Sequence, residues 1–288
     1  MNPREVVVSG VGVVSAHGIG LDALVEGGRG NRRSLSPLPF PAEGFPFTDG
    51  GVCRDLVPKE FVLRRKDIKL MSRDAQLAVA AGVLAMDDAG LPIPPEGEAD
   101  DGLGIFVGVG HEKGEVEDVA PAAYASSRGG RLSVDLLAAH GLDLMNPLSS
   151  LKTLPNMPLA HVAIRVGARG PNLALSSDER GARQALQEGR WSVASGECDR
   201  ALVGGTDSLT TLAGFCLAWR QRRLGPGLPP GEGAAFVLIE CAEVAHARGA
   251  KPYRRGELGA PLSPYIGYAG AATPALEEAA AYGLGGRA

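Results

Sequence analysis

The chain has 288 residues, of which 44% are hydrophobic, 22% charged and 5% aromatic, with a formal net charge of −4 and a pI near 5.8. This length supports a sizeable core, and the acidic balance argues against nucleic acid as a bulk partner. Cys53, Cys198, Cys216 and Cys241 are widely and irregularly spaced, with no CxxC and no Cys/His cluster, so no metal and no cofactor is expected.

In chain order, EVVVSGVGVV (5–14) reads as a buried strand broken by glycines, followed by a short helix, LDALVEGG. The opening runs straight into that strand rather than into a leader, and no apolar run reaches membrane-spanning length. The expectation is a cytoplasmic protein with reduced thiols. Residues 31–66 are Pro-rich, then basic, and read as surface loop. Residues 70–89 carry the clearest helical period, with Ser72 as N-cap and Gly90 as terminator. LGIFVGVG is a strand, 111–147 is mixed, and a helical stretch around 155–166 runs to Gly167. Strand 171–176, helix 179–195 and strand 200–208 form a compact βαβ unit, and strand 232–241 and helix 242–249 follow. Such alternation predicts an α/β fold, a mainly parallel mixed sheet with helices on both faces. The division expected is a domain over 1–253 and a short Gly/Ala-rich tail over 254–288 with no strong period.

Five segments, in order, resemble the β-ketoacyl synthase branch of the thiolase superfamily. They are VVVSGVGVVSAHGIG, MSRDAQLAVAAGVLAMDDAGL, LPNMPLAHVAIRVGARGPNLALSS, ECDRALVGGTDS and GEGAAFVLIECAEVAHARGAKPY. The resemblance implies a thiolase-like layered fold with its N-terminal half complete and its C-terminal half largely missing. It also implies decarboxylative condensation on an acyl carrier protein, with the acyl chain held by a cysteine at the start of a buried helix. There the helix dipole and free N–H groups favour the thiolate. Where the family reads roughly S-T-A-C-A-S-G, this chain reads Ser176-Ser177-Asp178-Glu179-Arg180-Gly181, so the nucleophile position falls on Glu179. A carboxylate would form a labile mixed anhydride, and condensing activity is not expected. In the tail, IGYAGAATPALEEAAA resembles the family's G-H-T-G-A-A-A-G stretch, which puts Tyr268 at a histidine position. Read that way, the tail is a remnant of the second half; the competing reading is a chance match of Gly/Ala-rich sequence. His17, His111, His140, His161 and His246 lie outside the family's histidine motifs.

Glu179 has two readings. Ser176-x-x-Glu179 fits a capping box on a helix that no longer does chemistry. Alternatively, a buried Glu179 acts as general base or mimics a malonyl carboxylate. Gly204-Gly205 reads as close packing, and Glu232 of the GEG turn as architectural. Arg64, Arg65, Lys66, Lys69 and Arg73, like Arg220, Arg222 and Arg223, read either as solvated charge or as a surface for an acidic carrier protein.

A lone half is expected to expose a large apolar face and a sheet edge, and so to need a partner. The leading reading is a non-condensing partner subunit of an active ketosynthase, similar to chain-length factors of type II polyketide or fatty-acid-like biosynthesis. The partner is a second copy or a full-length ketosynthase, with acyl carrier protein as a further contact. The alternatives are a malonyl-carrier-protein decarboxylase using Glu179 and a degenerate, self-dimerising acyl-binding scaffold.

Overall fold

The computed structural model describes residues 3–93, 99–111 and 114–288. Its principal elements are β1 (Val6–Ser15), β2 (Gly18–Ile19), α1 (Leu21–Arg29), α2 (Arg73–Asp88), β3 (Leu103–Val109), α3 (Val116–Ala125) and α4 (Met157–Val166). They continue with β4 (Asn172–Ser176), α5 (Glu179–Ser195), β5 (Arg200–Ser208), α6 (Leu212–Arg220), β6 (Glu232–Cys241), α7 (Ala242–Ala247) and α8 (Ala272–Gly285). The main sheet has the order β2-β1-β6-β5-β3-β4. Strands β5, β3 and β4 pair in parallel, while β6 runs antiparallel to both β1 and β5. The sheet is therefore mixed, with helices on both faces.

Side-chain alternation makes the two cores. Along the wholly buried β6, Ala234, Phe236 and Leu238 join the core under α2 and α4. Ala235, Val237 and Ile239 join the core under α5 and α8. Helix α2 buries an almost unbroken small-residue face, Ala75 to Ala85, and stops before Gly90, whose φ of 67° suits a residue without Cβ. It seats directly on β1, because a Cβ on Gly10 or Gly12 would run into the backbone of Ala85 and Ala81. Helices α4 and α5 end on left-handed glycines, Gly167 and Gly196.

Two expectations change. Residues 31–66 are not a plain surface loop: Leu38, Ala42, Cys53 and Leu56 are buried, and Gly51 abuts the Ile266 backbone. The Gly/Ala-rich tail is not featureless, since it supplies α8, buried from Ala272 to Leu276 and from Ala279 to Tyr282 against β6, β5 and β1. The sheet face beneath it is consequently covered by α5 and α8. The edge strand β4 is open as expected: it pairs with β3 alone, and Asn172 and Ser176 are exposed. Near its end α3 exposes Tyr124, and the arm between α3 and α4 presents exposed Leu132, Val134, Leu142 and Leu144.

Candidate functional site

The carboxyl ends of β3, β4 and β5 converge at the first turn of α5, the position where parallel α/β sheets place their ligand sites. Gly110 follows β3, Ser177 follows β4, and Asp207 lies in the last turn of β5. Asp207 is fully buried. Its carboxylate accepts hydrogen bonds from the N–H of Ser208 (2.8 Å) and of Ala271 (3.1 Å). It is enclosed between Gly110 and Gly270, where any Cβ would strike it, and the Arg223 guanidinium also lies beside Gly270.

Glu179 opens α5, but it is neither buried nor part of a capping box. Its side chain is 37% exposed and faces Arg183, one turn on, at 3.6 Å. The N-cap is Asp178, whose side chain accepts from the Arg180 N–H at 3.3 Å, while the Ser176 hydroxyl donates to the Gly110 carbonyl. The cap expected at Ser176 is displaced because β4 runs through that residue and ties it to the β3 loop. Arg180 points outward and is exposed.

Tyr268 is brought to the same place. It is half-buried, with Arg223 Nη2 donating to its hydroxyl at 3.5 Å and the guanidinium 5.5 Å from its ring centre. Burial raises its pKa; Arg223 opposes the rise, and the charges of Glu179 and Asp178 add to it. Tyr268 is thus a protonated phenol within electrostatic reach of Glu179. Glu277 on α8 completes the cluster: burial pushes its carboxyl up, Arg183 pulls it down, and Glu179 adds to the rise. An open hollow of about 500 Å³ beside it is walled by Arg183, Arg255, Pro274, Glu277 and Glu278.

No thiol reaches this site. Cys198 lies at the opposite end of α5, against Ser192, and burial raises its pKa. Cys53 is buried and raised well above the usual thiol value, first by desolvation and then by Glu232. Among the described residues, no group of three or more His, Cys, Asp and Glu is arranged to hold a metal ion. No helix among them is long and apolar enough to cross a membrane.

Asp207, Arg183 and Glu277 were not singled out as site residues in the sequence, and Arg223, read there as solvated charge or a carrier-protein surface, instead packs against Tyr268. Asp207 carried a signal, a lone acid at the end of an apolar strand, GGTDS. Glu277 carried none, because its helix was unrecognised. Gly204-Gly205 is packing: a Cβ on Gly204 meets the Ala235 backbone, and one on Gly205 meets Ala271 and Ala182. Glu232 is architectural. It is buried, bound by the Cys53 N–H, Arg73, Ser208 and Thr210. Desolvation raises its pKa, but these partners outweigh it and the net shift is downward. Arg73 therefore leaves the group of surface cations in which its sequence neighbours placed it.

The model of the β-ketoacyl synthase N-terminal domain matches residues 3–245. The chain belongs to the β-ketoacyl synthase family. Two relatives of this family are 3-oxoacyl-[acyl-carrier-protein] synthase 2 of Vibrio harveyi, 29% identical over 88% of this chain and 61% of its own length, and Nodulation protein E of Rhizobium sp. (strain N33), 28% identical over 86% and 60%. The chain thus spans about three-fifths of the length of these relatives. Among solved structures, the ishigamide ketosynthase/chain length factor is 28% identical with a TM-score of 0.65, covering 87% of this chain and 61% of that one. A β-ketoacyl synthase from Burkholderia phymatum STM815 shares the fold at 23% identity and a TM-score of 0.67, covering 86% and 62%.

Proposed function

We propose that this β-ketoacyl synthase homologue is a non-condensing subunit that pairs with an active ketosynthase. The observation that carries the reading is Glu179. At the position the family resemblance gives to the nucleophilic cysteine stands a half-exposed carboxylate paired to Arg183, while Cys53, Cys198 and Cys241 are buried. A carboxylate there stabilises the helix start through the dipole, but it cannot store an acyl group as sulfur does. Three further features support a partner role. The β4 edge offers unpaired backbone groups along its outer side. The end of α3 and the arm after it carry exposed Tyr124, Leu132 and Val134. The similar ishigamide protein is itself a ketosynthase/chain length factor.

Edge-to-edge pairing through β4 would continue the sheet into the partner and bring the arm against it. The acyl carrier protein would then meet the pair rather than this chain alone. The test is co-expression with a full-length ketosynthase from the same organism. The expected result is one co-eluting complex and a change in that enzyme's product length when this chain is omitted. Separate elution together with unchanged products would refute the proposal. A self-paired dimer that leaves the ketosynthase untouched would favour the scaffold reading instead.

A further inference from the structure

A second cavity lies away from Glu179, between α1, α8 and the segment 257–265 that crosses them. Its volume is about 350 Å³, and Leu24, Val25, Leu258, Leu262, Ala280 and Leu284 make its apolar wall. Tyr265, Arg29, Asn31 and Glu257 also border it.

Two consecutive glycines sit in α1, where each costs about 1 kcal/mol relative to alanine. Gly27 has a packing reason, since a Cβ there would run into the His17 ring. Gly28 has none. A Cβ built on it meets one atom, Leu262 Cδ2, at an ordinary 3.5 Å, and its φ is not in the left-handed region. Gly28 borders the cavity, so its missing side chain is room in the cavity. The opposite helix adds a small residue, Ala280, where the rest of the wall is leucine and valine.

The charges at the rim select the kind of molecule. Arg29 and Glu257 are both exposed, and among the described residues neither makes an ion pair. Their formal charges cancel. The C-terminal end of α1 adds a partial negative charge that disfavours an anionic head near Arg29. The Asn31 amide can both donate and accept.

We propose that this cavity is a binding site for an uncharged, largely apolar molecule of roughly ten non-hydrogen atoms, a volume of about 30 Å³ each. The polar end of such a molecule is neutral, an alcohol or ester, and lies toward Asn31. The site is independent of the partner role proposed above, because it uses neither Glu179 nor β4.

The test is calorimetric titration of the full chain with 1-octanol, octanoate and octylammonium. 1-Octanol is expected to bind one per chain with a Kd on the order of 0.1 mM, at least tenfold tighter than either ion. Gly28→Leu is expected to abolish that binding while leaving the thermal midpoint equal or higher, since it fills the cavity and removes a helical glycine. Gly28→Ala is expected to raise the midpoint and keep binding, which separates lost room from altered backbone. Equal affinity for Gly28→Leu, no heat from 1-octanol up to millimolar concentration, or tighter binding of either ion would overturn the proposal. So would a chain that dimerises until Gly28→Leu dissociates it, because the cavity would then belong to an interface.

Discussion

At the scale of single residues, polar groups in this fold are placed by what buries them. His17 sits below the first strand with its Nδ1 2.9 Å from Ser34 Oγ. Burial, reinforced by Arg32, lowers its pKa to about 4. The folded state therefore holds the imidazole neutral while the unfolded chain protonates near pH 6.5. Stability from this residue is full above that pH and is lost as the pH falls toward 4, levelling off below. The difference amounts to about 3 kcal/mol. Urea unfolding from pH 7.5 to 4 should show that loss in the native chain and a flatter profile in His17→Gln. Glu232 is the stronger constraint. Glu232→Ala would leave the Arg73 guanidinium and the Cys53 N–H without their acceptor, and should cost about 3–5 kcal/mol in denaturant unfolding. Both residues were visible in the sequence, but only Glu232 was given a structural role there. The GEG pattern placed it in a turn, whereas nothing near His17 in sequence announces the Gly27 backbone that closes over it.

At the scale of elements, helix positions follow glycines as much as hydrophobic stripes. Helix α2 lies on β1 because Gly10 and Gly12 let backbone meet backbone. Gly12→Val should lift the helix from the sheet and cost about 3 kcal/mol or more, since overpacking here meets main chain rather than a flexible side chain. Thermal unfolding of that variant, set against Gly28→Ala on α1, would show a lowered midpoint for the first and not for the second. Helix α5 teaches a related lesson. The family resemblance implies a buried helix, yet Arg180, Arg183, Gln184, Gln187, Arg190 and Trp191 are exposed, and the buried stripe is Gly181, Ala182, Ala185, Gly189, Ser192 and Val193. That amphipathic period stands in the sequence and describes a helix with one face in water.

At the scale of the whole molecule, the last residues hold the first ones. Helix α8 fills the sheet face between α1 and α5. Arg287 then reaches back to the Ser9 and Asp88 carbonyls and pairs with the Asp88 carboxylate at 2.8 Å. It also stacks on the Tyr253 ring at 4.3 Å, and the Tyr253 hydroxyl donates to Asp88. Burial first, and Asp88 next, push that phenol up to about 12, so it remains a donor through the physiological range. A chain ending at Tyr253 should therefore fail to fold, because Val237, Ile239 and Ala235 would lose their cover. Far-ultraviolet dichroism and solubility of that truncation would check this, and a native-like melting transition would contradict it.

The order of the main strands and of helices α2, α4, α5 and α7 was legible in the sequence, because period, Gly punctuation and β-branched runs are local signals. The alignment of Glu179 with the family's cysteine position also needs only the motif frame, and it stands as an expectation. Tertiary structure decided the rest. It gave the N-cap to Asp178, covered the sheet with a helix whose largely small, apolar residues show no strong period, and gathered Tyr268, Arg223, Asp207 and Glu277 around one strand end. They come from two separate stretches of the chain, 207–223 and 268–277. Only the crossing of the sheet, which no local pattern encodes, puts them within reach of one another.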